Sequence, residues 1–149
     1  MERIITFFIE PNPSAMQQVK DLMTKFVVTA TVDQTVAELR RLITLHNIGA
    51  LPILEKGEKS TVAGIVTDSD LRNVKDPSLQ AKAVMSSVLH FISPNASAAA
   101  AAKLMLQYSI HHLLVKDKEE LVGIISSMDL LTMVAGGRTN HYAQRMVFN

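Results

Sequence analysis

The sequence predicts an α+β protein built from two copies of one small β-α-β-β-α unit, packed sheet to sheet with pseudo-two-fold symmetry. Three observations predict it: the chain aligns with itself, each copy opens helices at capping residues, and each copy carries two aliphatic runs joined by a polar turn.

The self-alignment comes first. Laid along itself so that Met23 falls on Met85, the chain also sets Lys20 on Lys82, Ala37 on Ala99, Leu42 on Leu104, Ile48 on Ile110 and Leu51 on Leu113. Once three residues drop out of a polar turn, Gly64 falls on Gly123, Ile65 on Ile124, Asp70 on Asp129 and Leu71 on Leu130. A turn tolerates that change because closure entropy grows slowly with loop length. The repeats are therefore placed at 16–74 and 81–135, with an extension at 1–15, a linker at 75–80 and a tail at 136–149.

Each repeat has the same grammar. A short lead-in helix ends near Met23 or Met85, and in the first repeat Ser14 and Gln17 have capping-box spacing. An extended piece follows, Val27-Val28-Thr29 or Leu89-His90-Phe91. In repeat one Thr35 and Glu38 start the main helix, Leu39, Leu42 and Ile43 give it an apolar face, and Gly49 is the expected stop. In repeat two Ser97 caps a helix from Ala98 through Tyr108, whose alanine run combines strong helix propensity with room for close packing. Hairpins are expected from Leu51–Leu54 with Thr61–Val66 and from Leu113–Val115 with Leu121–Ile125. A further helix begins after each hairpin, at Thr67 and at Ser126.

Composition narrows the function. Of 149 residues 48% are hydrophobic, enough for a core, and the formal net charge of +1 offers no basic field for nucleic acid or anionic lipid. Aromatics at 5% supply few stacking platforms for bases. With no cysteine there is no disulfide, thiolate metal site or cysteine nucleophile. The apolar run Ile4–Ile9 is bracketed by Glu2 and Glu10, too short to span a membrane and unlike a signal peptide. A soluble, cytoplasmic protein is expected.

The richest motif occurs twice: Gly64-Ile65-Val66-Thr67-Asp68-Ser69-Asp70-Leu71 and Gly123-Ile124-Ile125-Ser126-Ser127-Met128-Asp129-Leu130. Each delivers a strand to a helix start with a hydroxyl at the N-cap and a carboxylate three residues on. T-x-x-D and S-x-x-D are capping boxes in their own right. A carboxylate there can also accept hydrogen bonds from two neighbouring ribose hydroxyls, and a helix start favours an anion. Capping and ligand contact are both open and can coexist.

Together with Val19-Lys20-Asp21-Leu22-Met23-Thr24 and His46-Asn47-Ile48-Gly49-Ala50-Leu51-Pro52-Ile53, the doubled motif resembles the CBS domain pair, or Bateman module, over about residues 16–135. The resemblance implies that Thr67, Asp70, Ser126 and Asp129 contact ribose and phosphate of an adenosyl ligand held between the repeats. It also implies a basic residue just before the second repeat's hairpin, where His111 and His112 stand. Repeat one departs from this, with Gly49 and Ala50 at that place. Two unequal sites follow, the one at repeat two better suited to an anion. AMP, ADP, ATP or S-adenosylmethionine is the expected ligand, with ATP asking for more cations than the motifs supply.

No nucleophile elbow, zinc-protease motif or P-loop occurs in the sequence. The expectation is a non-enzymatic sensor that needs no cofactor or metal and signals through a separate effector protein, with a homodimer centred on helices. The alternative is a dimerisation scaffold with empty ligand sites. For the tail, a disordered end and docking on a neighbouring subunit are both open.

Overall fold

A computed structural model describes residues 17–57 and 61–136. The described elements run α1 (Val19–Leu22), β1 (Ala30–Thr31), α2 (Val36–His46), β2 (Ala50–Leu54), β3 (Val62–Thr67), α3 (Asp68–Leu71), α4 (Ala81–Val84), β4 (Phe91–Ile92), α5 (Ala98–Tyr108), β5 (His112–Asp117), β6 (Glu120–Ser126) and α6 (Ser127–Val134). They make two three-stranded sheets, ordered β1-β2-β3 and β4-β5-β6. In the first, β1 runs parallel to β2 and β2 antiparallel to β3; β5 and β6 are antiparallel in the second. The α+β class is as expected.

Local capping chemistry explains where the helices begin. Thr35 Oγ1 accepts from the Glu38 N–H at 3.3 Å, and Ser97 Oγ accepts from the Ala100 N–H at 3.0 Å, so each hydroxyl satisfies a donor that has no partner within its helix. The first lead-in helix is closed differently from the expected Ser14–Gln17 box. Its cap is Gln18, whose N–H donates to Asp21 Oδ2 at 3.0 Å, while Ser14 lies outside the described residues.

Two other expectations need correction. Helix α2 does not stop on Gly49; Asn47 turns the chain with φ 50°, a left-handed conformation that asparagine tolerates through its short polar side chain. Ser109 does the same for α5 at φ 53°. The extended pieces also lie further along than Val27–Thr29 and Leu89–Phe91. Ladder pairing holds only Ala30 and Thr31, opposite Ile53 and Leu54, and Phe91–Ile92 in the second sheet.

The chain divides into two compact units, and they do not coincide with the sequence repeats. One unit joins residues 17–24 to 92–136; its core holds Val19 and Leu22 of α1 with Ala98, Ala101 and Met105 of α5, Leu113, Val115, Ile125 and Leu130. The other spans 25–91, and its core sets Ala81 of α4 among Val36, Leu39, Ile43, Leu51, Ile53, Val66 and Leu71. Each lead-in helix thus packs with the opposite repeat's hairpin.

The joints are the same in both units. Thr24 and Ile124 exchange N–H to carbonyl bonds at 2.9 and 3.1 Å, and Ile65 and Ser86 do so at 2.9 Å each. Such close backbone approach explains two glycines. A Cβ on Gly64 would stand 2.8 Å from the Ser86 carbonyl oxygen, and one on Gly123 would stand 3.0 Å from that of Thr24.

Candidate ligand-binding site

In the unit containing α6, the hairpin delivers His111, His112, Ser126 and Asp129 to one place. His112 is the strand partner of Ser126, and the Ser127 N–H donates to the His111 carbonyl at 2.8 Å. Ser126 and Asp129 close a reciprocal capping box: the Ser126 N–H donates to Asp129 Oδ2 at 2.8 Å, and the Asp129 N–H to Ser126 Oγ at 3.1 Å. Asp129 is buried, with 6% of its surface exposed. Carboxylates are seldom buried unless paired or hydrogen-bonded, and this one is bonded.

The other unit repeats the backbone and changes the side chains. Ala50 is the strand partner of Thr67, and the Asp68 N–H donates to the Gly49 carbonyl at 2.9 Å. The Thr67 N–H donates to Asp70 Oδ2 at 2.8 Å, and the Asp70 N–H to Thr67 Oγ1 at 3.3 Å. Here the carboxylate is exposed. All eight residues singled out in the sequence therefore cluster, four in each unit. Capping is present in both clusters.

The histidines differ from one another. His111 is exposed, with Nδ1 3.3 Å from Ser127 Oγ. His112 is half-buried, and burial first, then the neighbouring His111, holds its pKa below the usual 6.5, partly opposed by the Asp129 charge. At neutral pH its ring is consequently uncharged, a hydrogen-bonding group rather than a fixed cation.

Two contributors were not anticipated from the sequence. Ser127 bonds the His111 ring, and Arg40 Nη2 donates to the Leu71 and Val74 carbonyls at 2.8 and 2.6 Å, tying α2 to the end of α3. Ser127 follows a cap and could have been noticed as a second hydroxyl; the Arg40 contact spans loops that no local pattern links. Among the described residues no group of three or more His, Asp or Glu could hold a metal ion, and no helix is long and apolar enough to cross a membrane.

The doubled strand-to-helix arrangement falls within two matches to the sequence profile of the CBS domain, at residues 19–76 and 81–136. The chain belongs to the CBS-domain family and carries two such domains in tandem. It is 38% identical over 120 residues to the CBS domain-containing protein YhcV of Bacillus subtilis, covering 77% of this chain and 84% of that one. It is 30% identical to an inosine-5'-monophosphate dehydrogenase of Korarchaeum cryptofilum, but spans only 24% of that enzyme. Among solved structures, the CBS domain pair of protein MJ0100, in complex with 5'-methylthioadenosine and S-adenosyl-L-methionine, is similar with a TM-score of 0.74 and 25% identity, over 80% of this chain and 97% of that one.

Proposed function

We propose that this protein is a regulatory module that binds an adenosyl compound and reports its occupancy to a separate effector protein, without catalysing a reaction itself. The observation that carries the reading is the buried Asp129 carboxylate, fixed by the Ser126 capping box beside His111 and His112. The adenosyl ligands of the similar MJ0100 pair support the ligand class. In this reading Asp129 accepts the ribose hydroxyls, Ser126 and the histidines meet the remaining polar groups, and Thr67, Asp70, Gly49 and Ala50 form a second, weaker position. AMP, ADP, ATP and S-adenosylmethionine are the compounds to try.

Calorimetry on the intact chain tests it. Asp129→Ala removes a charged acceptor and should cost about 1.5–3 kcal/mol of nucleotide binding, roughly a ten- to hundred-fold loss of affinity. Asp70→Ala should cost less. Because either change also breaks a capping box, thermal melts of both variants accompany the titrations. Equal losses from the two variants, with both folded, would contradict unequal sites.

A second reading has its own support. Met128, Leu131 and Val134 are exposed at 65, 60 and 71% along one side of α6, a face suited to an isologous helical contact between two copies. On this reading the protein is a homodimerisation scaffold whose ligand positions stay empty. An adenosyl panel that fails to raise the melting temperature would favour it, since binding to the native state must stabilise it.

A further inference from the structure

Asp68 and Ser127 hold the same backbone position in the two units, each donating its N–H to the carbonyl of the residue before the hairpin, Gly49 or His111. The side chains they bring have opposite electrostatic consequences. Around Ser127 stand hydroxyls, two imidazoles and the single carboxylate of Asp129. Around Asp68 the matching residues are Gly49, Ala50, Ser69 and Asp70, so that with Asp68 itself there are two carboxylates and no imidazole. Both carboxylates are exposed, and among the described residues neither forms a salt bridge. The Thr67 and Ser69 hydroxyls bond each other at 2.9 Å. Helix α3 is one turn of four residues, too short to offset two negative charges with its dipole.

Resting on the ligand reading above, we propose that Asp68 is a charge filter. It turns phosphate-bearing compounds away from the Thr67–Asp70 position and reserves that position for an adenosyl compound without phosphate. The His111–Asp129 position, lacking the second carboxylate, admits a phosphate. A phosphate at the start of α3 would face two like charges near the surface, where each close charge is worth about five- to tenfold in affinity.

Reciprocal exchange tests the filter, with adenosine, S-adenosylmethionine and AMP titrated calorimetrically into the full chain. The wild type should take up one AMP per chain, and adenosine at both positions. Asp68→Ser should tighten AMP at the second position about five- to tenfold while adenosine moves little; Asp68→Asn should do the same and checks that the helix start tolerates the change. Ser127→Asp should weaken AMP by a similar factor and spare adenosine. The filter is overturned if adenosine binds at two positions but neither Asp68 variant changes AMP, or if AMP already fills both with Asp68 intact. If no adenosyl compound binds the wild type, the ligand reading falls and the filter with it. S-adenosylmethionine at the second position exceeding adenosine would identify a cationic tail as the preferred form; equal binding would identify the nucleoside alone.

Discussion

Asp70 and Asp129 are the same residue in the same motif, yet one is exposed and the other has 6% of its surface exposed. The motif shows what each can do locally, because a capping box needs only three residues of spacing. It does not show how deeply each lies, which depends on what packs above the helix start. His112 adds a consequence measurable at this scale. Its folded pKa sits below 6.5, so between the two values the unfolded chain binds the proton more readily than the folded one. The stability it contributes is complete above about pH 6.5 and is lost as pH falls toward the folded pKa. Thermal melts should show the wild type losing more stability than His112→Gln between about pH 7 and pH 5. A phosphate that recruits the imidazolium must raise that pKa, so AMP should bind more tightly near pH 6 than near pH 8, with adenosine indifferent. Identical melting profiles for the two proteins would remove His112 from the account, and pH-independent AMP binding would remove the histidines from phosphate contact.

At the scale of elements, four helix starts and both hairpins were legible, and the short strands β1 and β4 were not. Thr35, Ser97, Thr67 and Ser126 all cap as their spacing predicts, because a cap is settled by bonds within one turn. The short strands β1 and β4 lie further along than Val27–Thr29 and Leu89–Phe91 because a partner strand further along the chain, parallel in the case of β1, decides which residues pair. The alanine run of α5 is a close-packing surface, as its composition suggested. Ala98 and Ala101 are buried in the core with Val19 and Leu22, and the Ala98 N–H donates to the Gln17 carbonyl at 2.8 Å. Replacing Ala101 with Leu should therefore overpack the contact with α1 and cost about 1–3 kcal/mol. Denaturant titration reads this directly; an unchanged midpoint would show that α1 yields without penalty.

For the whole molecule, the exposed side of α6 carries the expectation of a dimer. Leu131→Glu should leave the secondary structure intact while reducing the mass seen by light scattering at tens of micromolar from two chains to one. A wild-type mass of one chain at that concentration would overturn the dimer expectation.

The sequence by itself determined that there are two repeats, where most helices start, and which eight residues would gather, because these follow from local spacing and from like residues falling on like. Tertiary structure alone decided which pieces pack together. Met23 and Met85 are alike, as are Gly64 and Gly123, so each lead-in could by pattern have seated on its own hairpin or on the other. In the folded chain Met23 lies against Gly123 and Met85 against Gly64, each glycine leaving room for the opposite lead-in. The hydrophobic pattern is equal in both arrangements. Only the path of the chain in space distinguishes them: α1 is tied by backbone hydrogen bonds to Pro94 and Ala96 and the following Thr24 to Ile124, while α4 is tied to Val32 and Gln34 and the following Ser86 to Ile65, contacts that no local periodicity encodes.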